Sequence, residues 1–450
     1  AGPPRRSKPT DRRNKPMEIL IASPLLWAVP IVSIAIPALF IVGARYLAYR
    51  LAGQPEHAPA AESLAIPVPR FTSASHALRT LLLVALMGTG TGIILLRFVF
   101  GLGAVTAMSD AFPWGLWIAF DVMGGVALAA GAFVVAATVH VFRIERFAPL
   151  VRPAILTGLL GYLLVIGGLM VDLGRPYNVW RPLFSFQHTS VMWEVGICVA
   201  TYTSVLFIEF LPVILERLNR VAGIAKRLPT VLLYRLLKRV SIVFVILGVV
   251  LSTLHQSSLG SLWVLVPEKL YPLWYSLYLP VFFWLSAVAV GLAMTIVEST
   301  LSSRAFKRGL ELDLLADLAK AAAIVLAVYL AARVGDLGAR GALPLLFQPT
   351  VQAVSCWVEL GLGVAVPAVL FAIRPLRRKP GVLFGGASLV VLFGVVLNRL
   401  NVGMIGLWPY TGTVYFPSWM EIVVTLTLVS LGVLGFGLAA RYLPLFSDEH

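Results

Sequence analysis

The chain has 450 residues, 59% of them hydrophobic and 13% charged, with a mean hydropathy of +0.89. A soluble domain carries about twice that charged share, so a soluble enzyme, a disordered polymer and a disulfide scaffold are excluded. The formal charge of +15, from 36 Lys and Arg against 21 Asp and Glu, has to be read first as a membrane-topology signal.

The first 77 residues stand apart. A basic start (Arg5, Arg6, Lys8, Arg12, Arg13, Lys15) precedes an apolar segment at 18–44 that Pro24, Pro30 and Pro37 interrupt. If that segment spans, the basic start lies outside, against the positive-inside rule. A broken or interfacial helix, or a translation start at Met17, would remove the conflict. An extra N-terminal helix is the preferred reading, followed by a Pro- and Ala-rich linker. No secretory signal is visible, because the apolar stretch is too long and no small-residue cleavage site follows it.

Ten apolar segments follow, at 78–102, 114–141, 152–172, 190–213, 238–256, 271–298, 314–333, 350–373, 381–400 and 417–440. Each can cross about 30 Å of hydrocarbon as a helix. Lipid demands internal backbone pairing and no alternating strand pattern appears, so the predicted fold is an all-α polytopic membrane protein. Connector charge sets its orientation. One alternate set of connectors, with its helix mouths and the C-terminal tail, holds 18 Lys and Arg, and the opposite set holds five. The first set is therefore expected in the cytoplasm, with the C-terminus. The predicted division is 1–77, a transmembrane domain at 78–441, and a tail at 442–450. This topology accounts for the basic excess without nucleic acid.

Ionisable groups inside spans are costly and point to function. Glu194 lies near the outer end of the fourth span. Glu209 follows 15 residues later, about 22 Å deeper at the helical rise. A proton step covers only about 3 Å, so other groups must bridge them, and Thr201, Tyr202, Thr203 and Ser204 are available on the same helix. Asp121, Arg97, Glu359, Arg399 and Glu421 complete the set; Glu359 and Glu421 can also be structural partners of Arg399 or Arg340. Three segments share a pattern, Ser190-Val191-Met192-Trp193-Glu194, Ser355-Cys356-Trp357-Val358-Glu359 and Ser418-Trp419-Met420-Glu421, each opening a span from the outer side. The echo predicts an internal duplication of helices.

Of the six histidines, His57, His76, His140, His188, His255 and His450, only His188 and His255 fall at matching depth, and His188 is read as part of a connector, so no haem is expected. Cys198 and Cys356 form no CxxC or cluster motif, so neither a metal site nor an iron–sulfur cluster is expected in this chain. His255 heads the run His255-Gln256-Ser257-Ser258-Leu259-Gly260-Ser261, read as a polar patch at the outer membrane surface. Nearby connectors carry Phe112-Pro113-Trp114-Gly115, Asp172-Leu173-Gly174-Arg175-Pro176 and Trp408-Pro409-Tyr410, which suit a docking surface or an aromatic belt.

These residues carry a resemblance. The chain resembles the NrfD/polysulfide-reductase membrane-subunit family, and within it the HybB-type subunits of periplasmic nickel–iron hydrogenases. The matching runs are Phe100-Gly101-Leu102-Gly103, Phe112 through Asp121, Pro149-Leu150-Val151-Arg152-Pro153-Ala154, Asp172 through Arg175, Glu194 through Glu209, His255 through Ser261, and Tyr415 through Trp419 with Glu421. The resemblance covers about residues 80–445; the N-terminal 77 depart from the pattern. It implies a quinone-reactive subunit without haem in the bacterial inner membrane. It further implies a periplasmic ferredoxin-like iron–sulfur partner fed by a nickel–iron hydrogenase or a related module, and fourth-helix carboxylates that conduct protons, which here are Glu194 and Glu209. The expected reaction is electron exchange with membrane quinone (menaquinone or ubiquinone) as substrate. Glu194 and Glu209 are the expected catalytic groups. Trp114, Asp121, Asp172, Arg175, His188, His255 and Gln256 are the expected quinone-site residues. The rival readings are a proton or ion transporter without redox chemistry and a structural anchor for the iron–sulfur subunit.

Overall fold

The computed structural model describes residues 74–219 and 230–446. The apolar segment at 18–44, Met17, His57 and His450 lie outside the described residues.

Among the described residues, ten helices are long and apolar enough to cross a membrane: α1 Thr80–Phe100, α2 Trp117–Val141, α3 Glu145–Asp172, α4 Val191–Asn219, α5 Thr230–Val264, α6 Leu279–Phe306, α7 Leu312–Ala339, α8 Val351–Ala372, α9 Pro380–Thr411 and α10 Trp419–Tyr442. The chain is an all-α, multi-pass membrane protein. The α2–α3, α6–α7 and α8–α9 connectors, with residues of the C-terminal end, gather on one face, the basic face.

The helices close into two rings of four. In the first, α2 packs on α3, α3 on α4, α4 on α5, and α5 back on α2; in the second, α6 to α9 close in the same order. Contacts of α6 with α2 and α5 join the rings, while α1 and α10 pack together outside them, α10 along α3. The predicted echo between spans four and eight has a structural counterpart, since α4 and α8 are the third helix of each ring. The Trp193 indole donates to Pro182 O at 2.8 Å, and the Trp357 indole to Leu346 O at 2.9 Å. Each indole thus pins its helix start to a carbonyl 11 residues upstream. The third copy, in α10, belongs to neither ring; Ser418 there forms a capping box with Glu421, which satisfies orphan amides at the helix start.

Small residues set the closest crossings, as expected where lipid supplies no hydrophobic drive between helices. A Cβ on Gly363 of α8 would lie 2.2 Å from the Gly394 nitrogen of α9, so both crossing positions need glycine. Wider π turns interrupt α2 at Trp117–Gly124, α8 at Val358–Ala365, and α9 at Val390–Val396 and Asn401–Ile405. They hold Asp121, Glu359 and Asn401, in keeping with the tendency of such turns to re-aim side chains.

One boundary differs in a way that matters. The fifth span, predicted to end at 256, continues to Val264. Ser257, Ser258 and Ser261 each return a hydrogen bond to the carbonyl four residues earlier, so their polarity does not break the helix. His255 and Gln256 are fully buried and Ser258 nearly so. The predicted surface patch is therefore largely an interior feature of the first ring.

Candidate functional site

Along α4, Glu194, Cys198, Tyr202 and Glu209 fall on one face at helical spacing, and along α5 so do Ser258, His255, Ser252 and Gly248. These faces meet inside the first ring. Half-buried Glu194, in the first turn of α4, shares the Ser258 hydroxyl with the Leu254 carbonyl, at 2.5 and 2.8 Å. One turn along α5, His255 Nδ1 lies 2.8 Å from the Tyr162 hydroxyl of α3. The Tyr162 ring meets Tyr202 edge-on, with centroids 4.7 Å apart. Beyond it, the Tyr202 hydroxyl, the Ser252 hydroxyl, Glu209 Oε1 and His255 Nε2 are buried without a direct partner. Buried polar groups of this kind are commonly bridged by water. Gly248 keeps the stretch open: a Cβ there would stand 3.4 Å from Glu209 Oε1 and 3.6 Å from the Tyr202 ring. Glu209 then lines a cavity of about 250 Å³ at the basic face, together with His140, Arg152, Tyr234 and Lys238.

The interval between Glu194 and Glu209 is thus lined by α3 and α5 as well as α4. Of the four α4 residues expected to bridge it, Tyr202 alone is buried in the ring. Thr201, Thr203 and Ser204 instead donate to the carbonyls of Ile197, Val199 and Ala200 on their own helix, at 2.7, 2.6 and 2.9 Å. The sequence does not single out Tyr162 or Ser252, and it offers Ser258 only as part of a surface patch. For the two serines the available signal is their spacing three residues either side of His255.

A second cluster gathers where α1, α2, α3 and α10 meet the face opposite the basic one. Asp121 accepts from the Thr425 hydroxyl at 2.8 Å. The buried Arg97 guanidinium donates to the carbonyls of Val171 and Leu173 at the end of α3. Neighbouring Asp172 keeps one buried oxygen without a partner. Glu421 is fully buried and accepts from the Ala107 amide (2.9 Å), the Ser418 amide (2.8 Å) and the Tyr415 hydroxyl. Tyr415 also accepts from the Leu116 amide at 3.0 Å and stacks on Phe112. Burial, helped by the bond to Glu421, pushes the Tyr415 phenol well above its ordinary range. Trp114 meets Trp263 edge-on at 5.2 Å. Gln256 Nε2 donates to Val126 O at 3.0 Å and ties α5 to α2, while its Oε1 is free of partners. Arg175 and His188 are exposed in the α3–α4 connector and do not join the buried clusters.

The second ring has a buried carboxylate of its own. Glu359 is fully buried and accepts from the Trp274 indole (2.9 Å), Asn398 (2.8 Å) and Asn401 (2.7 Å). Ser355 donates to Asn401 Oδ1 at 2.6 Å. Arg399 donates to Asn398 Oδ1 (2.5 Å) and the Ser286 hydroxyl (2.9 Å), and lies 3.6 Å over the Phe283 ring. Arg340 pairs with Asp336 at 2.7 Å. The expected pairing of Glu359 or Glu421 with Arg399 or Arg340 is thus replaced by amide, indole, phenol and backbone donors, which desolvate less charge.

The polysulphide reductase, NrfD family model matches residues 104–408. A Nitratidesulfovibrio vulgaris protein is 38% identical over 80% of this chain and 94% of its own. The Escherichia coli (strain K12) protein named "Probable Ni/Fe-hydrogenase 2 b-type cytochrome subunit" is 33% identical, covering 78% of this chain and 88% of its own. The Nitratidesulfovibrio vulgaris "Menaquinone reductase, integral membrane subunit" is 30% identical, covering 78% and 87%. The second name corrects one expectation: a b-type cytochrome designation points to haem, and the reading of a haem-free chain does not stand against it. His255 Nε2 is the buried ring nitrogen free of a hydrogen bond. His140 lines the cavity at the basic face and His188 is exposed on the other. A single imidazole nitrogen is therefore what the described first-ring interior offers as an axial ligand. With two thirds of its length under the family model and relatives matched over most of theirs, the chain belongs to the NrfD family of membrane subunits of redox complexes.

Proposed function

We propose that this chain is a quinone-reactive subunit that exchanges electrons between an iron–sulfur partner docked on the non-basic face and membrane quinone, with coupled proton movement. The observation that carries the reading is the polar file of Glu194, Ser258, His255, Tyr162, Tyr202, Ser252 and Glu209 through the first ring. Quinone takes up two electrons and two protons to become quinol. The electrons come from the partner, and the protons need a route through hydrocarbon.

Glu209 takes a proton from water in the basic-face cavity. Water held by the unpartnered Tyr202 and Ser252 hydroxyls carries it past Gly248. The Tyr162–His255 pair accepts and passes it on, and Ser258 hands it to Glu194. There the half-buried carboxyl acts as general acid to the quinone oxygen. Asp121, Asp172 and Trp114, at the same face, lie at the headgroup end. Arg175 and His188, exposed in the connector, suit contact with the partner. The names of the hydrogenase and menaquinone reductase relatives support a partner of this redox class.

The basic face is assigned to the cytoplasm of the bacterial inner membrane, the C-terminus with it, on the 18-to-5 split of Lys and Arg. Oxidation of the donor outside with proton uptake inside would make turnover electrogenic. The test is Glu194→Gln in the purified complex in sealed vesicles. Quinone-coupled turnover is expected to fall at least about tenfold, with donor activity toward an artificial dye unchanged. Full quinone turnover in this variant would sink the route.

A further inference from the structure

A second cavity, remote from the polar file, opens on the basic face and measures about 590 Å³. It lies between the start of α3, the first turns of α7 and the α8–α9 connector. Its charged lining is Arg146, Asp313, Asp317, Lys320, Arg374, Arg377 and Arg378: five cations against two carboxylates.

Both carboxylates are already engaged. Arg146 pairs with Asp317 at 2.8 Å, and Arg378 with Asp313 at 3.2 Å. Arg377 is held in place by two bonds from Nη1, to Phe371 O and Ala372 O, which leave its charge uncompensated. Lys320 and Arg374 have no acidic partner among the described residues. Three positive charges in excess therefore face one concave space. Self-repulsion of that kind is relieved by an anion with several acceptor oxygens, and arginine forks match phosphate.

The position selects the source of that phosphate. The connector joins the end of α8 at Ala372 to the start of α9 at Pro380, so the cavity sits at the edge of the hydrocarbon layer. On α7, Ile324 and Val328 follow Lys320 at four-residue steps and are 60% and 51% exposed. An apolar track thus descends from the cationic cavity along the lipid-facing side of α7. A free phosphate would use the charges and leave the track bare; a phospholipid uses both.

We propose that this cavity binds the phosphodiester headgroup of an anionic phospholipid of the inner leaflet, its acyl chains lying along α7. The volume and the threefold charge excess suit a headgroup with two phosphates, as in a diphosphatidylglycerol, better than one with a single phosphate.

The full chain in neutral detergent would be titrated with diphosphatidylglycerol, phosphatidylglycerol, phosphatidylcholine and inorganic phosphate, reading thermal unfolding and retained lipid by native mass spectrometry. The diphosphate lipid is expected to raise the unfolding midpoint by several degrees and to remain bound, with phosphatidylglycerol weaker and phosphatidylcholine silent. The Lys320→Ala, Arg374→Ala double variant, which removes exposed groups outside the packing, is expected to weaken diphosphatidylglycerol binding at least tenfold. Lys379→Ala, an exposed cation of the same connector outside the cavity lining, is expected to leave it unchanged. Equal stabilisation by phosphatidylcholine would overturn the proposal, as would undiminished lipid binding by the double variant. An equal shift with inorganic phosphate would overturn its lipid source.

Discussion

The two four-helix rings carry a glutamate at matching places and treat it in opposite ways. Glu194 and Glu359 each lie early in the third helix of a ring, next to a tryptophan anchor to a carbonyl 11 residues upstream. In the second ring, Glu359 meets three N–H donors, from Trp274 of the α5–α6 connector and from Asn398 and Asn401 of α9, and those two amides are themselves held by Arg399 and Ser355. In the first ring, Glu194 meets a single hydroxyl, and the groups behind it include four buried polar atoms without direct partners. Arg399 Nε, Arg333 Nε and Arg333 Nη1 of the second ring are also buried without a hydrogen-bond partner, so the difference lies at the carboxylates: one with both oxygens bonded to N–H donors fixes structure, and one with a single hydroxyl partner leaves acceptor positions for water and protons. The same framework thus holds a lock in one ring and a proposed path in the other.

The contrast breaks most sharply if both carboxylates of the path are removed. The Glu194→Gln, Glu209→Gln double variant is expected to lose about a hundredfold in quinone-coupled turnover while remaining folded, measured in sealed vesicles beside dye-linked donor activity. Turnover within a factor of two of the parent would dissolve the distinction between the rings.

Glu359→Gln is the counterpart. It replaces an acceptor of three N–H bonds with an amide that points its own N–H groups at donors. At about 1.5–3 kcal/mol for a bond to a charged group, the variant is expected to lose about 3 kcal/mol of stability. Thermal unfolding in detergent measures it, and dye and quinone activities should fall together in proportion to folded protein. A selective loss of quinone turnover would move Glu359 from lock to path.

A smaller effect is expected at Gly248. Valine there extends beyond the 3.4 Å contact that a bare Cβ would make with Glu209 and fills the gap beside Tyr202. Quinone turnover is expected to drop roughly fivefold, as one gated proton step would, with quinone affinity unchanged. An unchanged rate would mean that protons do not pass this point.

The smallest effect sharpens the comparison by its absence. Thr201 and Ser204 sit on the outward face of α4 and bond their own helix. Thr201→Val and Ser204→Ala are expected to leave turnover within a factor of two, whereas Tyr162→Phe, which removes the hydroxyl beside His255, should slow it severalfold. Steady-state assays on the three variants rank the hydroxyls directly.

The sequence alone determined the ten described spans and the class of protein. Hydrocarbon thickness fixes how many apolar residues a crossing needs, and connector charge is a one-dimensional signal. It also singled out Glu194 and Glu209, because an ionisable residue inside a span stands out against its neighbours without reference to any fold. Which hydroxyls join them was decided by tertiary structure. Thr201 and Tyr202 are adjacent in the chain, but a helix turns about 100° per residue, so one returns to its own backbone and the other enters the ring. The His255 run likewise looked like a surface patch, because its end of the fifth span depends on serines that bond backward and on neighbours that bury them. The partners of Glu359 were hidden for the same reason: Trp274, Asn398 and Asn401 lie 85, 39 and 42 residues away. No local pattern carries a contact that long, and only the closing of α6 to α9 into a ring, with the α5–α6 connector packed against it, brings those donors to one carboxylate.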